Sequence, residues 1–215
     1  MNIDERDSVA TQFGVSTEQV ERDHLISYVL AFLSSSVGDQ VQFIGGTALA
    51  RTHLPAGRLS EDIDLIAIGD RKSVAATLDS DLPRALSRSH GRLTLDPMLG
   101  SVASTQPATL RSPGGLSVRI QLLSAHDRVV WPSERRVMVQ RYTDAPAAEL
   151  LVPTPPAFAA SKTSTWAARR SRPLGPVGAQ SPRRNQRRCL RPLPTPRTYE
   201  SAACVLAFRR GASRH

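Results

Sequence analysis

Two neighbouring segments constrain this chain more than any other part of it. They are Phe43-Ile44-Gly45-Gly46-Thr47-Ala48-Leu49 and Arg58-Leu59-Ser60-Glu61-Asp62-Ile63-Asp64-Leu65. Residues two apart on a strand share a face, so Asp62 and Asp64 present their carboxylates side by side at the head of an apolar strand. Two adjacent carboxylates repel unless a cation sits between them, and magnesium pairs such groups with substrate phosphates. Upstream, Gly45-Gly46 lets backbone approach a ligand closely, and a helix opening at Thr47 aims free N–H groups at an anion. The two halves together suit a nucleoside triphosphate whose phosphates are bridged by metal. Neither half is specific alone: an Asp-x-Asp is commonly a solvated turn, and no Gly-Lys-Ser/Thr follows the glycines to make a phosphate loop of the Walker type.

The flanking pattern gives these segments a frame. Ser16-x-x-Gln19 has capping-box spacing ahead of Val20, Leu25, Val29, Leu30 and Leu33, which predicts an amphipathic helix over 17–35. Strands are predicted at 41–44 and 62–68, with a helix over 47–53 capped by Thr47. Residues 71–90 read as helical with a break at Pro83. Residues 92–95, 116–123 and 136–139 read as strands, and 157–168 as a helix. The domain division expected from this is a core at 1–125, a C-terminal helical segment at 126–171 and a Pro/Arg-rich tail at 172–215.

Charge separates the tail from the rest. The chain carries a net +9, but residues 1–165 hold 16 Lys and Arg against 18 Asp and Glu, whereas 166–215 hold 12 Arg against Glu200 alone. The basic character is therefore a property of the tail and not of the core. Only Lys72 and Lys162 are lysines, beside 26 arginines, which singles out Lys162. Cys189 and Cys204 have no metal-ligand spacing and support neither a zinc site nor a disulfide scaffold. No apolar run approaches membrane-spanning length, so a soluble, cytoplasmic protein with no membrane partner is expected.

The residues of the two segments resemble the Gly-Gly-Ser/Thr and Asp-x-Asp motifs of DNA-polymerase-β-like nucleotidyltransferases. Arg58 to Leu65 is particularly similar to the AbiEii/AbiGii and MenT branch of toxins, as is the helix from Val20 to Leu33. The resemblance implies an α/β (α+β) fold with a mixed sheet flanked by helices. It implies Mg2+, a nucleoside triphosphate donor such as CTP or UTP, an RNA acceptor such as the tRNA 3′ end, blocked translation, and a cognate antitoxin. Carried over by position, Asp62 and Asp64 hold the metal, and Gly45, Gly46, Thr47 and Arg58 bind the nucleotide. Ser60 sits beside the site, and Lys162, on the helix of Ala159 and Ala160, neutralises phosphate charge.

The chain departs from that family pattern in two places. A third carboxylate is expected on the strand at 116–123, but its polar face reads Ser117, Arg119, Gln121 and holds none; Asp96 is the alternative acid, and Arg119 a phosphate contact or an exposed strand residue. After the lysine helix the family continues with an Arg-Asp-Leu-Tyr-Asp-Leu-like run, whereas Arg172-Pro173-Leu174-Gly175-Pro176 cannot be a helix. Codons compatible with 172–179 can be read in another frame as Asp-Leu-Trp-Asp-Leu-Trp-Ala-Leu, which predicts a frameshift near 168–172 and a tail that is disordered or out of frame. The alternatives to an active enzyme are an inactive remnant that keeps the core fold, and an Arg-rich RNA-binding protein without catalysis.

Overall fold

The computed structural model describes residues 1–126 and 129–170, and side chains of the last helix as far as residue 164. The expected frameshift and the tail at 172–215 lie outside the described residues.

The chain opens with two helices, α1 (Ile3–Phe13) and α2 (Thr17–Val37). The Ser16 hydroxyl accepts the Gln19 N–H, as the capping spacing predicts. Strand β1 (Val41–Ile44) leads into the short helix α3 (Gly45–Arg51), and a loop returns to β2 (Asp62–Ala67). Helices α4 (Arg71–Ala85) and α5 (Ser87–His90) precede β3 (Thr94–Asp96), β4 (Ala108–Arg111) and β5 (Ser117–Ser124). Strands β6 (Ser133–Val137) and β7 (Glu149–Pro153) and helix α6 (Pro155–Arg170) follow. Asp70 caps α4 by accepting from the Lys72 and Ser73 N–H groups, and α4 runs through Pro83, the expected break, to Ala85 with Leu86 as its C-cap.

Among the described residues, seven strands join one mixed sheet in the order β3-β4-β5-β2-β1-β7-β6. The pairs β2–β5 and β1–β7 are parallel and the rest antiparallel. Segment 126–171 is therefore more than the helical piece expected: it gives the sheet β6 and β7, and β7 lies directly beside β1. Strand alternation sends Ile63, Leu65, Ile120 and Leu122 into one core with Leu25, Val29 and Leu33 of α2 and Val74 and Leu78 of α4. The opposite face of β2 carries Asp62, Asp64 and Ile66.

A buried ion pair ties the helices to this sheet. Arg51, at the end of α3, meets Asp23 of α2 at 2.8 Å, and each side chain is only 1% exposed. Arg51 also donates to the carbonyls of Asp23 and Val139, both at 2.9 Å, and the Tyr142 hydroxyl donates to Asp23 Oδ2 at 2.9 Å. Burying such charges costs several kcal/mol unless hydrogen bonds offset it. Here they do so in part, since among the described residues Arg51 Nε is buried without a hydrogen-bond partner and Arg141 Nη1 lies 3.6 Å from Asp23 Oδ2.

Candidate functional site

The carboxylates come from a single strand end. Asp62 and Asp64 lie on the same face of β2, where Ile44 of β1 pairs with Asp64 on one side and Gln121 of β5 on the other. Gly45 adopts φ +85°, a conformation that disfavours any residue with a Cβ. A Cβ there would overlap Asp64 Oδ2 and stand 3.2 Å from its Cγ. The Gly45 backbone is thus packed against the Asp64 carboxylate. At Gly46 a Cβ would meet only Ser60 Oγ, at 3.4 Å, an ordinary van der Waals contact.

Thr47 does not cap α3 as expected; the helix begins at Gly45, and Ile44 at the cap position makes no side-chain hydrogen bond. The Thr47 hydroxyl instead donates to the Asp62 carbonyl and is buried. It holds the head of β2 against α3, so any contact from Thr47 to a phosphate falls to its backbone N–H, which has no acceptor within the helix.

These groups surround a cavity of about 350 Å3 lined by Gly46, Thr47, Arg58, Ser60, Asp62, Asp64 and Lys162, with Val15, Gln19, Leu59 and Glu61 at its edge. Every predicted nucleotide or metal residue except Gly45 lines it, and Gly45 backs Asp64. Lys162, reached from α6 nearly a hundred residues later in the chain, is exposed and close enough for its charge to act on Asp64. A larger cavity of about 670 Å3 under α4 holds no carboxylate pair; its Asp79 is engaged with the Leu99 and Gly100 N–H groups at 2.8 and 2.9 Å.

The electrostatics of the site ask for a cation. Burial first, and the Asp62 charge second, push the Asp64 carboxyl above its ordinary range, while Arg119 and Lys162 pull the other way. Among the described residues no donor hydrogen-bonds or ion-pairs with Asp64. Asp62 meets Arg119 Nε at 3.3 Å, a contact too exposed to neutralise the pair by itself. The two carboxylates therefore fit a hard divalent ion.

The third acid is absent from the place the sequence left open. Gln121 stands directly across from Asp64 and donates to the Thr105 carbonyl at 2.8 Å. Asp96 does not take its place: it reaches Asp62 only through the register Asp96–Thr109–Arg119–Asp62, three strands or about 14 Å away. Glu61 is paired with Arg22 at 2.9 Å. Among the described residues no cluster of three His, Cys, Asp or Glu side chains converges on a metal position.

Residues 30–183 match the family model described as nucleotidyl transferase AbiEii toxin of type IV toxin–antitoxin systems. The chain belongs to the AbiEii nucleotidyltransferase toxin family. The match takes in all of the cavity residues except Val15 and Gln19, and it continues past Arg172. The AbiEii chain is also similar to a solved structure, an antigenic nucleotidyltransferase-like protein from Paracoccidioides brasiliensis, at 17% identity over 69% of either chain and a TM-score of 0.40. No curated protein matches it. Among the described residues, no helix is long and apolar enough to cross a membrane.

Proposed function

We propose that this AbiEii-family chain is a metal-dependent transferase that moves a nucleotide from a nucleoside triphosphate to the 3′ hydroxyl of an RNA, foremost the tRNA 3′ end, and so blocks translation. The observation that carries the reading is the Asp62–Asp64 pair set against the Gly45-Gly46 turn in one cavity with Lys162. Asp62 and Asp64 would hold Mg2+, which when bound supplies positive charge against the phosphate oxygens. The Gly46 and Thr47 backbone N–H groups, the Ser60 hydroxyl, Arg58 and Lys162 would bind the triphosphate from the remaining sides. In the transfer the acceptor oxygen bonds to the α-phosphorus, the bond from that phosphorus to its bridging oxygen breaks, pyrophosphate leaves, and the hydroxyl proton passes to solvent. CTP or UTP is the expected donor, and a cognate antitoxin restrains the activity.

Incubation with each labelled nucleoside triphosphate and total tRNA, beside Asp62→Ala, tests this. We expect label on the tRNA with at least about a hundredfold loss in the variant, the scale seen when one group that stabilises transition-state charge is removed. Equal, background-level label in both proteins would leave the inactive remnant as the better reading.

A further inference from the structure

The carboxylate face of β2 turns apolar within one step. Two residues past Asp64, about 7 Å along the strand, Ile66 points the same way. Ile66 is paired with Leu123 of β5, and Ile44 is paired with Asp64 itself, so Ile44, Ile66 and Leu123 form one apolar floor that begins where the carboxylates end. Above it lies a second cavity of about 360 Å3, walled by Trp131 and Phe158. Lys162 lines this cavity and the carboxylate cavity alike, and the two glycines divide between them, Gly45 here and Gly46 there.

The aromatic wall is held in place on purpose-built contacts. Gln42 is fully buried on the same face as Ile66, and its side chain spends both ends on Trp131. Its Nε2 donates to the Trp131 carbonyl at 2.7 Å, and its Oε1 accepts the Trp131 N–H at 3.4 Å. A polar side chain inside an apolar floor thus fixes the main chain of Trp131, a residue left partly exposed.

We propose that this second cavity receives the nucleobase of the donor nucleoside triphosphate, against Trp131. The inference rests on the nucleotidyltransferase reading of the carboxylate site and adds where the base goes. A ligand that is anionic at one end and flat and weakly polar at the other matches the two adjoining cavities, with the shared Lys162 at the junction where the charge lies. The volume falls in the range of about 300–1,000 Å3 usual for small-molecule sites. Gln42 is a positioning residue in this arrangement, since it acts through Trp131.

Calorimetric titration of the full chain in Mg2+ with each nucleoside triphosphate and with inorganic tripolyphosphate tests the assignment. Trp131→Ala removes the wall, and Ser164→Trp, at an exposed position on the rim, fills the cavity without touching the core. Both variants are expected to weaken nucleoside triphosphate binding roughly ten- to a hundredfold, the scale of one lost base–aromatic stack, and to leave tripolyphosphate within twofold. Trp131→Phe should keep most of the affinity. Triphosphate affinities unchanged by both Trp131→Ala and Ser164→Trp would overturn the base site while leaving the phosphate site standing. So would a loss confined to an RNA oligonucleotide ending in a free 3′ hydroxyl, which would give the cavity to the acceptor. A native chain that binds neither nucleoside triphosphate nor tripolyphosphate would remove the nucleotide reading and this inference together.

Discussion

Asp64 is placed where its own charge is unwelcome. Its carboxyl is raised by burial and by Asp62, so the native protein keeps that proton to higher pH than the unfolded chain does. As pH rises from the unfolded value, about 3.9, through the native one, the ionised group comes to work against folding, and it does so throughout the neutral range. Asp64→Asn is therefore expected to raise the melting temperature in the absence of divalent ions. The native chain should gain about 2.7 kcal/mol when Mg2+ is a hundredfold above its Kd, and the variant should gain almost nothing. Thermal unfolding with and without Mg2+ reads both effects. A variant that melts lower than the native chain and still responds to Mg2+ would show that Asp64 is structural. The motif residues could be read in advance because a strand's period of two makes the carboxylate pairing unavoidable once Asp62 and Asp64 begin an apolar run. Thr47 departs from expectation because a threonine after two glycines suits a helix cap locally, and only the arrival of β2 gives its hydroxyl the Asp62 carbonyl instead.

Helices α2 and α3 are joined by charge as much as by apolar packing. Asp23→Asn would leave the Arg51 guanidinium buried without a counter-ion, at a cost of about 3–5 kcal/mol, a large part of the stability of a domain this size. Urea unfolding should show that loss, which the Arg141 guanidinium shares because it lies 3.6 Å from the same carboxylate; a single variant within about 0.5 kcal/mol of native would refute the account. A second polar connection, among α2, α5 and the loop at 144, answers to pH. His24 Nε2 lies 3.0 Å from Asp144 Oδ1, its Nδ1 lies 3.1 Å from His90 Nε2, and His90 Nδ1 lies 2.9 Å from Ser89 Oγ. Burial, then the neighbouring His24, lowers His90 to about 4. Between its unfolded value of about 6.5 and that native value the unfolded chain binds the extra proton, so stability falls as pH drops across this window. Burial alone would raise Asp144, but the hydrogen bonds and charges of the N-terminal amine and His24 together outweigh it and hold the carboxyl below its ordinary range, which adds a loss of the same sign at lower pH. His90→Gln is expected to flatten the melting temperature between pH 7 and 4.5, and an unchanged pH profile would exclude His90 as the source. Neither connection could be read from the sequence, because each pairs side chains tens of residues apart. Helix α1 escaped for another reason: Val9 is its single buried residue, so no apolar stripe marks it. Strand β7 begins at a glutamate and ends at a proline, and five residues hold too few alternations to stand out.

The topology makes the site depend on both ends of the described chain. Strand β7 enters beside β1 and delivers α6, and with it Lys162, to the face that Asp62 and Asp64 occupy. The mixed sheet was foreseeable from the family resemblance, but the entry of β7 was not, since a parallel pair between residues 42 and 151 leaves no local trace. What lies beyond α6 is legible only as composition. Residues 1–171 carry 18 Lys and Arg against 18 Asp and Glu, a net charge of zero, and residues 172–215 carry the whole +9. A core of zero net charge adds no net attraction to RNA, so the tail is expected to supply most of it, whatever the core does to nucleotides. Each phosphate neutralised on a single-stranded RNA contributes about −0.7 to the slope of log affinity against log salt. Deleting 172–215 is expected to bring that slope close to zero for total tRNA and to weaken binding at low salt by orders of magnitude. The unfolding midpoint should hardly move, because the apolar core runs from Leu25 to Phe158. Tritium-free filter binding over a salt series, with thermal unfolding beside it, measures both quantities. If the truncated chain kept the steep slope, the RNA surface would have to lie on the core, where Arg58, Arg119 and Lys162 already gather around the carboxylates. If it lost the slope and still labelled tRNA at saturating RNA, the tail would be an electrostatic tether to which the chemistry owes nothing.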